Sequence, residues 1–225
     1  MIPLRDANPT RQVPVVTLTL IVINVAVWLW ELTMQVQGQL NAFVMTWAVV
    51  PAQLLQNPLA ELPTLLTAMF LHGSWGHLLG NMLYLWIFGD NIEDQLGRSR
   101  FLLFYFLTGL AATMTQTLID PNSTLPNVGA SGAIAGIMGG YLLLFPSARI
   151  LTLVGYFFVR VPAVLVLIFW FGIQLFGGFG SLNGWQQDGG VAFFAHIGGF
   201  VAGIILIRLF IPRRGRTDYD QLPPF

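Results

Sequence analysis

Ser131 and His196 are the two residues of this sequence whose side chains can combine into a reaction. A serine hydroxyl beside an imidazole is the smallest set that makes an activated nucleophile. The His acts first as general base and then as general acid. Ser131 stands in Gly129-Ala130-Ser131-Gly132, and His196 in Ala195-His196-Ile197-Gly198-Gly199, with Gly203 beyond. Each has a plainer reading when taken alone. Gly132, Gly136 and Gly140 recur every four residues, as small residues do where helices pack closely. A buried His often does no more than bond a backbone carbonyl. Depth joins the two. Ser131 is 15 residues before Pro146 and His196 is 16 before Pro212. On helices both therefore sit about 22–24 Å above the same end. His196, Gly199 and Gly203 share one helical face, so a neighbouring backbone can come close to the His. Packing of the two Gly-rich faces would put hydroxyl and imidazole within reach.

Attack on an amide makes an oxyanion, which needs preorganised donors. His77 and Asn81 lie one turn apart on one face, starting 12 residues before Gly89, and both can donate. So can the Ser131 backbone N–H. As packing, the same pair would be polar glue between helices. His72, five residues before His77, is a further polar support. A third, acidic member is not in place. Asp90, Glu93 and Asp94 fall at the far end of the His77 segment, and Asp120 and Asp188 fall in loops. The simplest chemistry is a Ser–His dyad.

The elements that must position these residues are apolar. The chain has 225 residues, 55% hydrophobic and 9% charged, with no Lys, no Cys and zero net charge. A soluble domain has about 25% charged residues. An ordinary soluble enzyme, a disordered chain, a nucleic-acid binder, a disulfide scaffold and a Cys-ligated metal site are all excluded. Six stretches are apolar enough for membrane helices: Val13 to Met34, Trp75 to Phe88, Phe101 to Ile119, Ser131 to Phe145, Val161 to Phe176 and Val191 to Ile211. The second, fourth and fifth are short, as expected of helices shielded by protein. Arg5 and Arg11, Arg98 and Arg100, Arg149 and Arg160, and Arg208, Arg213, Arg214 and Arg216 occupy alternate connections. That alternation puts both termini on the cytoplasmic side.

The expected fold class is an all-α membrane protein of six transmembrane helices, forming a single domain over 1–225. It has a tail at 1–12, a core at 13–211 and a polar tail at 212–225. The first apolar segment is too long for a cleavable leader and reads as a retained helix. The first outer loop, Gln35 to Thr64, is long, half apolar and broken by Pro51, Pro58 and Pro63, which suits an interfacial position. The third outer loop, Gly177 to Gly190, is rich in Gly and reads as a flexible cap.

These residues form a recognisable set. The chain resembles the rhomboid family of intramembrane serine proteases. His77 and Asn81 match its H-x-x-x-N element. Gly89, Glu93 and Gly97 match G-x-x-x-E-x-x-x-G. Gly129-Ala130-Ser131-Gly132 matches G-x-S-G, and Ala195-His196 with Gly199 and Gly203 matches A-H-x-x-G-x-x-x-G. The resemblance implies a six-helix rhomboid-like bundle with Ser131 as nucleophile and His196 as base. His77, Asn81 and the Ser131 N–H would stabilise the oxyanion, and Gly132, Gly136, Gly199 and Gly203 would pack closely. It implies hydrolysis of peptide bonds in or beside transmembrane segments of protein substrates, with access laterally or from above, past the fifth span and the third outer loop. No metal and no cofactor is implied. Partners would be those substrates and the lipid bilayer. The chain's small size and simple plan suggest a bacterial plasma membrane as the location. Two positions depart from the pattern. Ala135 stands where many members stack an aromatic ring on the catalytic His, so other support must hold the imidazole. Pro63-Thr64 stand near the place of a usual Trp-Arg pair.

Three other readings compete. A non-catalytic rhomboid-like protein could bind client helices through the same fold. A transporter would place charges near the bilayer midplane or show internal repeats, and the sequence shows neither. A metalloprotease using His72, His77 and His196 would need a motif such as H-E-x-x-H, which is absent.

Overall fold

The computed structural model describes residues 1–183 and 191–211. The chain is mostly helical. β1 (Ile2–Asp6) precedes α1 (Val15–Val36). Three short helices follow, α2 (Leu40–Trp47), α3 (Pro51–Gln56) and α4 (Thr64–Thr67), with a 3-10 turn at Ala68–Phe70. Then come α5 (Trp75–Leu96), α6 (Arg98–Ile119) and α7 (Ser131–Leu144). β2 (Arg149–Val154), β3 (Phe157–Pro162), α8 (Ala163–Leu182) and α9 (Phe193–Phe210) complete the described chain. Among the described residues, four helices, α1, α6, α8 and α9, are long and apolar enough to cross a membrane. α5 is as long as α1 but carries Asp90, Glu93 and Asp94 near its end, and α7 has 14 residues.

α7 is the central helix. Gly132 through Tyr141 are all buried, which is how so short an apolar helix is shielded. It packs most intimately on α9, and glycine makes the contact possible. A Cβ on Gly199 would collide with the Gly132 carbonyl, one on Gly203 with the Gly136 carbonyl, and one on Gly139 with the Phe200 carbonyl. On its other side, Gly136 abuts the Thr108 side chain of α6. Below this seam the core is aromatic. Phe88, Phe101, Phe104, Tyr105 and Tyr141 are fully buried, and the Phe88 and Tyr141 rings meet edge to face at 5.0 Å.

α5, the expected second span, runs to Leu96, beyond the expected end at Phe88. Its acidic last turns are tolerated because Glu93 is satisfied inside the fold. The Glu93 carboxylate accepts from the Val16 and Thr17 backbone N–H groups at 2.9 and 2.8 Å, and from the Thr17 hydroxyl at 2.8 Å. It thus caps α1, which has no side-chain cap at its own Pro14. Gly97, at φ 75°, then ends α5 in a conformation that favours glycine.

Residues 1–12 are not merely a tail, and the fold is not purely helical. β1 pairs antiparallel with β2, and β2 with β3, in a three-stranded sheet. The β2–β3 hairpin turns through Gly155-Tyr156, with Gly155 at φ 60°, as tight hairpin loops require. Val161 and Pro162, expected in the fifth span, belong to β3. The helix after them continues through Gly177 to Leu182, which the sequence suggests as flexible loop. Its glycines there are packing positions, with Gly177 against the Phe193 ring and Gly178 against Phe194 and Ile197. The rest of that expected loop, 184–190, and the tail 212–225 with Arg213, Arg214 and Arg216 lie outside the described residues. The expected interfacial loop holds the three short helices around a small core of Val49, Leu54 and Ala68. The sheet and the described arginines sit at the end of the bundle opposite Ser131. There Arg100 Nη1 donates to the Phe210 carbonyl at 3.5 Å.

The Gly199→Ala substitution is expected to destabilise the fold by about 1–3 kcal/mol, since neither backbone can yield. Gly80→Ala, where a Cβ meets nothing within 4 Å, is the control and is expected to be neutral. Thermal unfolding of the two purified variants checks this, and equal Tm values would contradict the seam.

Candidate active site

Ser131 is the first residue of α7, and the loop before it is held on two sides. Asn127 and Val49 exchange backbone hydrogen bonds at 2.7 and 3.2 Å, and the Gly129 N–H donates to the Ala68 carbonyl at 2.8 Å. The segment between α1 and α5 is therefore a brace for the Ser131 segment. Gly129 has φ 122°, and a Cβ there would lie 2.7 Å from His77 Nε2. Only glycine lets the imidazole approach this backbone.

His196 lies one turn above Gly199 on α9, and the seam brings it onto Ser131. The Ser131 Oγ and His196 Nε2 are 2.7 Å apart. On the other side of the ring, His196 Nδ1 is 2.8 Å from Gln174 Oε1 of α8. The orientation of that amide follows from its second contact. Gln174 Nε2 donates to the Trp170 carbonyl at 3.3 Å, and a carbonyl can only accept. Oε1 therefore faces the His as an acceptor, which places the imidazole proton on Nδ1. Nε2 is left with its lone pair toward the Ser131 hydroxyl, the tautomer a general base needs. The Trp170 ring, one turn before Gln174, lies 5.8 Å from the imidazole at an interplanar angle of 36°.

Ala135 supplies no ring, and the support it leaves missing comes from α8. Gln174 and Trp170 are the residues that sequence reasoning missed. A usable signal existed, because Gln174 is a polar residue within an otherwise apolar segment.

His77 and Asn81 stand beside Gly129, two residues before Ser131. A Cβ on Gly129 would lie 3.6 Å from Asn81 Nδ2. Their hydrogen bonds set their donors. The Gly73 N–H points at His77 Nδ1 at 3.5 Å, a long contact that favours the proton on Nε2, the nitrogen facing Gly129. Asn81 Nδ2 donates one hydrogen to His72 Nε2 at 3.0 Å and keeps a second. His72 can accept because its Nδ1 donates to the Phe70 carbonyl at 3.2 Å, and burial pulls its pKa down, which keeps it neutral. The Glu31 carboxylate of α1 accepts the His72 backbone N–H at 3.1 Å. Glu31 is 1% exposed and is a second polar residue that the spacing argument missed.

A cavity of about 40 Å³, close to the room one water takes, lies against Ser131 and Gly132. Gln116 and Asn127 contribute to its wall, and Gln116 Oε1 accepts the Ala195 N–H at 3.2 Å. His77 and Asn81 do not line it.

A family model described as the Rhomboid domain matches residues 59–213, which takes in Ser131, His196, His77 and Asn81. The chain belongs to the rhomboid family. It is similar to RHOMBOID-like protein 6, mitochondrial, of Arabidopsis thaliana, at 34% identity over 69% of this chain and 46% of that protein. It is 32% identical to RHOMBOID-like protein 12, mitochondrial, of the same plant, over 80% of this chain and 57% of that one. It is also 32% identical to Rhomboid protease GluP of Bacillus subtilis (strain 168), over 67% of this chain and 27% of that protein. The chain thus spans about half or less of the length of these relatives. As a rhomboid, it is an integral membrane protein whose apolar helices lie in a lipid bilayer.

The tautomer argument has a direct readout. ¹⁵N NMR of labelled histidines is expected to show His196 neutral with its proton on Nδ1. In Gln174→Leu, which removes the acceptor, the two tautomers are expected to mix. An unchanged His196 signal in that variant would remove Gln174 from the site.

Proposed function

We propose that this rhomboid is an intramembrane serine endopeptidase, a reading that rests above all on the 2.7 Å contact between Ser131 Oγ and His196 Nε2. Ser131 Oγ attacks the carbonyl carbon of a peptide bond in or next to a substrate's transmembrane segment. Its proton passes to His196 Nε2, and the imidazolium keeps its Nδ1–H on Gln174 Oε1. The oxyanion takes the Ser131 backbone N–H, with His77 Nε2–H and the second Asn81 N–H facing the same loop. Collapse breaks the C–N bond, and Nε2 returns the proton to the leaving amine. Water, deprotonated by the same nitrogen, then attacks the acyl-Ser131; collapse breaks the C–Oγ bond, Nε2 returns the proton to Ser131 Oγ, and the acid product leaves. Gln174 is a neutral amide where many serine proteases have a carboxylate. It fixes the tautomer without adding a charge to stabilise the imidazolium.

The membrane reading follows the same residues. Six helices cross: α1, α6, α8 and α9 by length, and α5 and α7 within their shelter. The arginine-bearing end with both termini faces the cytoplasm, and the Ser131 end faces outward. The whole of 1–225 is one rhomboid-like membrane domain. Substrates are transmembrane proteins that reach Ser131 laterally, past α8. Similarity to the Bacillus subtilis protease supports a bacterial plasma membrane. The mitochondrial names of the plant relatives make an organelle membrane the competing location.

Reconstitution into liposomes with a fluorogenic transmembrane substrate tests the activity. The wild type is expected to cleave, and Ser131→Ala and His196→Ala to lose about four orders of magnitude or more. Gln174→Leu is expected to lose at least about tenfold in kcat with KM little changed, because it positions the base and does not touch substrate. Equal cleavage by wild type and Ser131→Ala would overturn the dyad. A folded wild type that cleaves nothing, with Ser131 inert to serine-directed probes, would favour a client-binding rhomboid without catalysis.

A further inference from the structure

The end of the bundle opposite Ser131 holds a half-open cavity of about 910 Å³ between the sheet and α5. Its basic wall is set by strand register. Arg5 pairs with Leu151, and Leu151 with Arg160, so the three form one cross-strand row on one face. Arg149, two residues before Leu151 on β2, shares that face. All four line the cavity, facing Trp86 and Asp90 of α5. Three guanidiniums meet two carboxyls there, Asp6 and Asp90, so the lining is net positive. Asp6 is already engaged, since its Oδ2 accepts from the Tyr141 hydroxyl at 2.9 Å. Among the described residues no carboxylate forms an ion pair with Arg149 or Arg160.

Beside this cavity the hairpin tip is aromatic and bare. Tyr156 is 96% exposed, Phe157 75% and Phe158 68%. The described residues leave them largely uncovered. Their position says what covers them: β3 runs straight into α8, so the base of the hairpin sits where an apolar helix leaves the bilayer, and the tip lies within the six-residue length of β3, about 20 Å, of that level. Aromatic rings favour the headgroup layer, and arginines near it favour anionic lipid. A guanidinium also matches the paired oxygens of a phosphate.

We propose that the cavity lined by Arg5, Arg149 and Arg160 binds the phosphate of an anionic phospholipid headgroup, while Tyr156, Phe157 and Phe158 seat the sheet in the same leaflet. The site is remote from Ser131 and needs no catalysis. It rests on the reading that the helices span a bilayer with the sheet at its surface.

Full-length protein in phosphatidylcholine nanodiscs, with or without phosphatidylglycerol, tests it. Native mass spectrometry reads the lipid that stays bound after mild extraction. The wild type is expected to retain phosphatidylglycerol over phosphatidylcholine. In the triple variant Arg5→Gln, Arg149→Gln, Arg160→Gln, retained phosphatidylglycerol is expected to fall about tenfold or more. An unchanged Tm in phosphatidylcholine shows that this variant is folded. Equal retention by wild type and triple variant would overturn the proposal. Displacement of the lipid by millimolar glycerol 3-phosphate, which then stays bound itself, would overturn the lipid assignment in favour of a soluble phosphate ligand. The topology is read separately. The chain has no Cys, so Tyr156→Cys can be labelled with a membrane-impermeant maleimide in sealed vesicles. Labelling from the outer side would refute the cytoplasmic placement whatever the lipid result, and Ser131→Ala is expected to bind lipid as the wild type does.

Discussion

The structure depends on one close approach, the backbone contact between α7 and α9. Gly199 lies on the Gly132 carbonyl and Gly203 on the Gly136 carbonyl, with Gly139 on Phe200 in return. No side chain intervenes, so the two helix axes are closer than an alanine would allow. Without a hydrophobic drive between helices in lipid, such tight packing is itself a main source of cohesion. It also fixes where Ser131 and His196 stand, because each begins or lies within one turn of the seam. A 2.7 Å contact between a short hydroxyl and a ring requires that closeness.

The polar groups that flank Ser131 and His196 are paired, while Trp28 Nε1, Tyr105 OH and Thr117 Oγ1 are buried without a partner among the described residues. Glu93 closes the start of α1, and Glu31 takes the His72 N–H, although both acids are buried in an apolar bundle. Away from water an unpaired donor or carboxylate is expensive. The consequence is rigidity: His72 holds Asn81, the segment between α1 and α5 holds the Ser131 segment, and Gln174 holds the imidazole. Donors that are already oriented lose little on meeting a developing oxyanion, which is where preorganisation acts. The opposite end is built differently, with an open cavity and exposed arginines and aromatics. One end suits chemistry shielded from water and the other suits a charged surface.

The long elements could be read from composition because a membrane helix is an uninterrupted apolar run. The pairing of Ser131 with His196 could be read because both faces carry glycine at nearly the same distance from a following proline. The sheet was hidden for a physical reason. Strand residues such as Ile150, Leu151, Val159 and Val161 are as apolar as helix residues, and they lie between two apolar spans. The signal present was Gly155 between two β-branched and aromatic runs, a hairpin pattern that hydropathy alone hides. Gln174 and Glu31 were missed because each is one polar residue in a long apolar stretch. Its partner, His196 or His72, is far away in sequence and becomes its neighbour only when the bundle closes. Gly177 and Gly178 read as flexible since glycine marks both loops and tight packing, and Phe193 and Phe194 decide for packing.

The central claim is that the glycine seam makes Ser131 a nucleophile. The most direct measurement is the rate at which a fluorophosphonate labels Ser131, mapped by mass spectrometry, in wild type, His196→Ala and Gly203→Ala. The account predicts labelling at Ser131 in the wild type, none in His196→Ala, and much slower labelling in Gly203→Ala, although Gly203 touches neither reacting residue. Equal labelling of all three proteins, or labelling of a different serine, would contradict it.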